Sequence, residues 1–157
     1  MDAKVGDHVI TPRIGKPVEV QALWLNALWL PSRRSPRWRE LFDRGRGAFE
    51  ARFWNEEAGF LHDVVDVDHQ SGKVDSSLRP NQVLALGGLP LVLVDETRAR
   101  RALGIIEACL LTPTGPRSLA SDDPGYTGHY AGSGMFRRSP TATLRIDPTA
   151  VRSRHGR

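Results

Sequence analysis

The sequence predicts an all-α (mainly helical) fold with long polar loops, and three segments carry this prediction. Residues 18–30 are apolar on nearly every side, as in a helix that packs on several faces. Residues 95–110 repeat apolar side chains with a period of about 3.6, which is typical of an amphipathic helix. Residues 114–134 are rich in Gly and Pro, which favours a loop. The 157 residues are enough for one domain with a sizeable core.

Proline and serine positions indicate where the helices in the first half of the chain begin and end. Residues 1–16 show no helical or strand period, so we expect an irregular entry segment. Pro17 stands where proline is favoured as a first helical residue, and we expect Pro31 to end that helix. A Ser-Pro pair at 35–36 predicts the next helix, with the serine as its N-cap and an apolar stripe that runs to Phe53.

The second half begins with an extended segment. Residues 60–67 are rich in β-branched side chains and alternate in part, which predicts a short extended stretch, and a polar loop follows at 68–77. Residues 81–86 predict a short helix that a Gly-Gly pair closes. Asp95 is the expected N-cap of the amphipathic helix, and the Thr-Pro pair at 112–113 should stop it.

The basic excess lies near the C-terminus. The sequence carries 22 Lys plus Arg and 18 Asp plus Glu, and residues 133–157 alone hold six of the arginines and one acid. Residues 1–132 are therefore nearly neutral, whereas a nucleic-acid-binding protein usually carries a basic patch on its folded body. We expect no nucleic-acid partner, and we expect residues 133–157 to form a basic, disordered tail.

The single cysteine, the length of the apolar runs and the spacing of the histidines exclude further classes of protein. A single cysteine fits a reducing compartment, and no apolar run approaches the roughly 18 residues of a membrane-spanning helix. We therefore expect a cytoplasmic protein with no membrane partner. The histidines show no metal-ligand spacing with Cys109, and the chain has no glycine-rich phosphate loop. The sequence predicts neither a metal site nor a cofactor.

Six short segments occur along the chain in a characteristic order. They read Met-Asp-Ala-Lys-Val-Gly-Asp at 1–7, Thr-Pro-Arg-Ile-Gly-Lys-Pro-Val-Glu-Val-Gln-Ala-Leu-Trp at 11–24, Phe-Trp-Asn-Glu-Glu-Ala-Gly-Phe at 53–60, Asp-Val-Val-Asp at 63–66, Leu-Arg-Pro-Asn-Gln at 78–82 and Leu-Thr-Pro-Thr-Gly-Pro-Arg-Ser-Leu at 111–119. In this order they resemble the C-terminal, amylo-alpha-1,6-glucosidase domain of the glycogen debranching enzymes. The resemblance covers residues 1–132, which we interpret as a fragment of that domain.

The resemblance implies a fold and a reaction. The family's fold is an (α/α)6 toroid, of which the roughly four helices predicted here would form an arc of about a third. The implied reaction is hydrolysis of the α-1,6-linked glucose at a trimmed branch point of glycogen, and it resembles an inverting glycosidase reaction. In such a reaction one carboxylic acid protonates the leaving oxygen while a second carboxylate activates water on the opposite face.

The resemblance also implies site residues. Asp2 matches the last position of a Thr-Trp-Met-Asp motif and is the expected general acid, whereas the family's catalytic base has no match in this chain. The guanidinium and amide groups at 79–82 supply the planar hydrogen-bonding groups that polyols need. The expected substrate-binding residues are Arg13, Lys16, Glu19, Arg79, Asn81 and Gln82.

Several of these residues also have a purely structural interpretation. Asp2 can be a solvated terminal carboxylate, and Glu19 can be a charge that favours a helix start. Residues 79–82 can bond only to their own loop and to a helix cap. Trp24 and Trp54 can stack on sugar rings, although core packing is the better interpretation of both.

After residue 132 the sequence leaves the family pattern, so we interpret the chain as a truncated or frameshifted remnant that is inactive alone. Glycogen or a limit dextrin is the expected ligand, and a complementing chain that carries the rest of the domain is the implied protein partner. The alternative is a non-catalytic glucan-binding or helical interaction module.

An arc of a toroid exposes apolar helix edges, so five large side chains cannot all be buried. These are Trp24, Trp29, Leu30, Phe49 and Phe53.

Overall fold

The computed structural model describes residues 12–128 and the backbone of two short strands at 4–5 and 8–9. This part of the chain is mainly helical with several two-residue strands, which confirms the predicted class. The toroid arc and the domain boundary at residue 132 stay predictions. Of the helices described, none is long and apolar enough to cross a membrane.

Short strands replace the irregular entry segment that the sequence predicts. β1 (Lys4–Val5) pairs antiparallel with β2 (His8–Val9), and β3 (Lys16–Pro17) leads directly into the first helix. A strand of two residues is too short to show an alternation of apolar and polar side chains. The sequence pattern therefore could not reveal these strands.

Helix α1 (Val18–Ser32) extends beyond its predicted end. Pro17 is the N-cap in an extended conformation (φ −65°, ψ 139°) rather than the first helical residue, and Pro31 lies inside the last turn. A proline removes the hydrogen bond to the carbonyl group four residues earlier. That carbonyl group belongs to Ala27, which is exposed, so water can satisfy it. Both predicted boundaries of α1 were wrong by one or two residues.

Helix α2 (Pro36–Phe53) begins where the Ser-Pro pair predicts, although the Ser35 side chain makes no capping hydrogen bond. It packs along α1, and its buried phenylalanines meet the core. The rings of Phe49 and Phe53 stack with centroids 4.6 Å apart. Gly45 permits the close helix contact, because a Cβ there would lie 2.9 Å from Leu25 Cδ2 of α1.

Two small sheets follow α2. β4 (Trp54–Asn55) pairs with β5 (Phe60–Leu61). β6 (Val64–Val65) is the middle strand of a three-stranded antiparallel sheet, between β3 and β7 (Val74–Asp75). The extended segment predicted at 60–67 is confirmed as β5 and β6, and it ends in a 3-10 turn at Val67–His69. The loop predicted at 68–77 contains β7.

The last described elements pack on α1 and on the small sheets. A 3-10 turn (Pro80–Gln82) leads into α3 (Val83–Leu86). Helix α4 (Glu96–Leu110) is capped as predicted, because the Asp95 carboxylate accepts a 2.9 Å hydrogen bond from the Arg98 backbone N–H. The chain then forms a hairpin of β8 (Leu111–Thr112) and β9 (Gly115–Pro116), where the sequence predicts only loop beyond residue 113.

The hydrophobic core lies between α1, α2, α4 and strand β5. Its buried apolar side chains include Val18, Ala22, Leu25, Leu28, Phe42, Phe49, Phe53, Leu61, Ala102, Ile106 and Leu110. Trp24 and Leu30 are exposed, which confirms that the five large side chains are not all buried. The expectation that α1 packs on several faces is wrong for the described residues, because its second apolar face has no covering element there.

Candidate functional site

Arg13 lies between two carboxylates at the start of α1. Its Nη1 and Nη2 atoms donate hydrogen bonds of 2.5 Å and 2.7 Å to the two carboxylate oxygens of Glu19. Its Nε and Nη2 atoms donate bonds of 2.7 Å and 2.9 Å to the carboxylate of Asp63. One planar guanidinium group therefore holds two carboxylates in fixed positions, which is the geometry in which arginine bonds most strongly.

The backbone fixes the position of Arg13. The segment before α1 runs against β6, and the Val18 N–H donates a 3.0 Å hydrogen bond to the Asp63 carbonyl oxygen. Gly15 has φ 135°, and a Cβ there would lie 2.7 Å from the Asp66 carbonyl oxygen. Only glycine combines that backbone conformation with such a close approach. The glycine therefore allows Arg13 to reach Asp63 from a segment 50 residues earlier.

The Arg79–Asn81 segment completes the arrangement. Arg79 Nε lies 3.4 Å from Asp63 Oδ2, and its Nη1 atom donates a 3.3 Å hydrogen bond to the Ser118 carbonyl oxygen. Asn81 Nδ2 donates a 3.3 Å hydrogen bond to Glu19 Oε1. The buried Nε of Arg79 makes no hydrogen bond within the described residues, although it forms this 3.4 Å ion pair with Asp63.

We call this group the ion cluster. It consists of Arg13, Glu19, Asp63, Arg79 and Asn81.

Two of the expected substrate-binding residues lie beside the ion cluster and have other partners. Gln82 is buried, accepts a 3.0 Å hydrogen bond from the Leu61 N–H and donates one of 3.2 Å to the Arg79 carbonyl oxygen, so it holds the loop in place. Lys16 Nζ lies 2.5 Å from Asp66 Oδ2. Arg13, Glu19, Arg79 and Asn81 are therefore the expected residues that the fold brings together. Asp2 lies outside the described residues.

Asp63 is the member of the ion cluster that the sequence interpretation did not select. Its role depends on contacts with Arg13 and Arg79. Arg13 lies 50 residues away in the sequence, so the sequence around Asp63 does not reveal these contacts. The one local signal is an aspartate beside two valines in a segment that reads as a buried strand. A charged side chain in such a segment needs a partner.

The surroundings shift the pKa values of Glu19, Asp63 and Arg13 in the ion cluster. Burial would raise the pKa of Glu19, but hydrogen bonds from Arg13 and the positive charge of Arg13 outweigh it, so this pKa is lowered. Burial raises the pKa of Asp63, although the hydrogen bonds and charge of Arg13 and the charge of Arg79 oppose it. The pKa of Arg13 is raised, because Glu19 and Asp63 accept its hydrogen bonds, although burial opposes this. Glu19 and Arg13 therefore remain charged at neutral pH.

A second ionic group surrounds Asp66. Its carboxylate accepts hydrogen bonds from Arg52, from Lys16 and from the Gly72 N–H, the last at 2.9 Å. Together these donors lower the pKa of Asp66. The bonds from Arg52 and Lys16 tie the β6–β7 connection to α2 and β3, and the bond from Gly72 lies within the connection, so together they support the sheet that follows Asp63.

Two further expectations concern the environments of Trp24 and Trp54 and the possibility of a metal site. Trp24 is exposed, so core packing is wrong for that residue. Trp54 is half-buried, donates a hydrogen bond to Glu56 and carries the Arg98 guanidinium 5.1 Å from its ring centroid. The described residues contain no group of three or more His, Cys, Asp or Glu side chains that could hold a metal ion.

A separate cavity of about 300 Å³ lies between α2 and the start of α4, and it contains none of the expected site residues. Phe49 and Trp54 supply apolar walls, and Arg46 and Arg98 lie at its edge. Its charged groups already pair with each other, since Arg46 Nε is 2.8 Å from Glu50. The charged groups of this cavity are therefore paired, as those of the ion cluster are.

The fold and the ion cluster together define a mainly helical domain with a fixed polar site of guanidinium, carboxylate and amide groups. A family model described as amylo-alpha-1,6-glucosidase matches residues 1–139, so the chain belongs to the amylo-alpha-1,6-glucosidase family. This match confirms the resemblance to the glycogen debranching enzymes, and all five residues of the ion cluster lie within it. No curated protein and no solved structure matches the chain significantly.

Proposed function

We propose that the ion cluster binds glucosyl hydroxyl groups of an α-1,6-branched glucan such as glycogen or a limit dextrin. The observation that carries this proposal is the fixed Glu19 carboxylate. Arg13 bonds both of its oxygens, yet the Glu19 side chain remains 20% exposed. A carboxylate held in this way accepts a hydroxyl hydrogen bond without losing further side-chain freedom.

The neighbouring groups fit the same ligand. Asn81 and Arg79 are both half-buried; Asn81 can donate a second amide hydrogen, and the Arg79 guanidinium group has further N–H donors. A sugar presents hydroxyl groups that both donate and accept. Acceptors on Glu19 and donors on Arg79 and Asn81 match those two roles.

For the reaction we propose the inverting hydrolysis that the family resemblance implies, with Asp2 as the general acid. The (α/α)6 toroid remains the expected architecture of the complete domain. Of the described carboxylates, Glu19 and Asp63 are the two in the ion cluster, and Arg13 engages both. A carboxylate bonded in this way is poorly suited to removing a proton from water, so we propose that the base comes from elsewhere.

It follows from this proposal that the chain alone binds glucan and does not turn it over. A complementing chain that carries the second carboxylate would restore hydrolysis. A non-catalytic glucan-binding module would bind in the same way and would stay inactive with any complementing chain. We also propose a cytoplasmic location, which suits glycogen as the ligand and a single cysteine.

The test is a calorimetric titration of the full chain with a phosphorylase limit dextrin, with glucose release measured in parallel. We expect binding by the wild-type chain, at least tenfold weaker binding by Glu19→Gln, and no glucose release by either. Glu50→Gln is the matched control, because it removes an exposed carboxylate of α2 outside the ion cluster. Equal binding by Glu19→Gln would contradict the site, and glucose release by the chain alone would contradict its inactivity.

A further inference from the structure

Asp63 lies on the buried side of Arg13, away from solvent. The Asp63 side chain is 1% exposed, whereas the side chains of Arg13 and Glu19 are 15% and 20% exposed. A ligand at the ion cluster can therefore touch Glu19 and Arg13 but cannot touch Asp63. Any effect of Asp63 on ligand binding has to pass through the residues that it contacts.

The Arg13 guanidinium group presents a different edge to each carboxylate. The edge formed by Nε and Nη2 donates hydrogen bonds of 2.7 Å and 2.9 Å to Asp63. The edge formed by Nη1 and Nη2 donates bonds of 2.5 Å and 2.7 Å to Glu19. Because the guanidinium group is planar and rigid, the bonds to Asp63 fix the plane in which Glu19 is bonded.

The backbone of Asp63 is held on both sides. Its N–H donates a 2.8 Å hydrogen bond to the Asp75 carbonyl oxygen, and its own carbonyl oxygen accepts the 3.0 Å bond from the Val18 N–H. These bonds tie Asp63 to β7 and to the start of α1. The Asp63 side chain is short, so it keeps little rotamer freedom, whereas Arg13 and Glu19 have longer side chains with more freedom to lose.

The bonds from Asp63 change the character of the pair between Arg13 and Glu19. Without Asp63 this would be a partly exposed ion pair, for which solvent competes and in which two long side chains must be held in one geometry. Arg79 also approaches Asp63, but its Nε stops at 3.4 Å and its Nη1 bonds the Ser118 carbonyl oxygen. Arg13 is therefore the main partner of the Asp63 carboxylate.

We propose that Asp63 is a positioning residue of the glucan site, which acts through Arg13 to hold the Glu19 carboxylate in the orientation that accepts a sugar hydroxyl group. This inference rests on the proposed function of the ion cluster. A preorganised acceptor lowers the entropy cost of binding, so Asp63 raises the glucan affinity without contacting the sugar. Loss of its charge should lower the affinity although Arg13 and Glu19 are both still present.

The test compares two buried carboxylates of the same region. Asp63→Asn removes the charge and one acceptor oxygen at nearly the same volume. Asp66→Asn is the matched control, because Asp66 is also buried and bonds two cations, Lys16 and Arg52, outside the ion cluster. Calorimetric titration of the full chain with a phosphorylase limit dextrin at pH 7 gives the affinities.

We expect Asp63→Asn to bind the dextrin about fivefold or more weakly than the wild-type chain, and Asp66→Asn to bind within about twofold of it. Unchanged affinity in Asp63→Asn would overturn the positioning role. An equal loss of affinity in the two variants would also overturn it, because that result would assign the loss to a general weakening of the small sheet.

A second measurement follows the guanidinium group itself. When both of its edges are bonded, rotation about the Arg13 Nε–Cζ bond is restricted, and Nη1 and Nη2 should give separate NMR resonances. In Asp63→Asn we expect these resonances to broaden or merge, while in Asp66→Asn they should stay separate. Separate, sharp resonances in folded Asp63→Asn would show that Glu19 alone holds Arg13, which would overturn the proposal.

A double variant keeps the test decisive if Asp63→Asn does not fold. Arg13→Gln/Asp63→Asn removes both members of the buried pair, which is less disruptive than leaving one of them without its partner. Once Arg13 is absent, Asp63 has nothing to position, so the double variant should bind the dextrin within about twofold of Arg13→Gln. A larger difference would mean that Asp63 acts independently of Arg13.

The proposed function and the role of Asp63 fail in different ways. No dextrin binding by the folded wild-type chain would contradict the proposed function. The Arg13 resonances are recorded without ligand, so they decide in either case whether Asp63 holds the guanidinium group. Binding by the wild-type chain with unchanged affinity in Asp63→Asn would contradict the role of Asp63 alone.

Discussion

At the scale of single residues, Arg13 determines how the candidate site is held together. Its guanidinium group bonds Glu19 and Asp63 at once, and Asp63 is almost fully buried. The sequence predicted Arg13, Glu19, Arg79 and Asn81 as site residues through the family motifs. It could not select Asp63, because that choice depends on contacts with residues 13 and 79, which only the folded chain brings together.

Removing Arg13 should destabilise the fold. In Arg13→Met the buried Asp63 keeps Arg79, at 3.4 Å, as its nearest described cation. Leaving one member of a buried pair without its partner costs about 3 kcal/mol or more. Urea unfolding at pH 7 should therefore show a loss of about 3 kcal/mol in the free energy of unfolding. Arg46→Met, which breaks an exposed pair with Glu50, should cost less than about 1 kcal/mol.

A loss below about 1 kcal/mol in Arg13→Met would contradict this account. It would mean that the Asp63 carboxyl accepts protonation or water without Arg13. Arg13→Lys should not restore stability fully, because an ammonium group cannot bond two carboxylates with the fixed planar geometry of a guanidinium group.

At the scale of elements, the starts of α2 and α4 were predictable, and of the two-residue strands only β5 and β6 were. The Asp95 cap and the Ser-Pro start of α2 depend on neighbouring residues in the sequence. Strands β3 and β7 form only by pairing with β6, which their own two residues do not reveal. Gly45 and Gly47 both weaken α2 by helix propensity, yet the sequence could not show that Gly45 alone faces α1.

The two glycines of α2 should therefore respond differently to alanine. A Cβ at Gly47 meets nothing within 4 Å, so Gly47→Ala should stabilise the protein by about 0.5–1 kcal/mol through helix propensity. A Cβ at Gly45 would lie 2.9 Å from Leu25 Cδ2 in the core, which offsets that gain. Thermal unfolding of the two variants measures the difference. Equal stabilisation would contradict the close contact of α1 and α2.

At the scale of the whole molecule, the described residues form a mainly helical fold, and the family match covers residues 1–139. The second apolar face of α1 contradicts the expectation of a helix packed on several sides. Its sequence looked like that of a fully buried helix because apolar residues occur all round it. Sequence pattern cannot distinguish a face that the same chain covers from one left for another segment.

Binding of a glucan by the ion cluster can be detected at the Arg79 Nε–H group. This group lies in the ion cluster, 3.4 Å from Asp63 Oδ2, so a sugar hydroxyl group bound there should change its environment. We would record the arginine Nε–Hε resonances of the full chain by NMR while adding a limit dextrin. We expect saturable shifts of the Arg13 and Arg79 resonances, absent in Glu19→Gln, with the Arg46 resonance unchanged. Shifts confined to Arg46 and Arg98, which line the separate cavity, would contradict it.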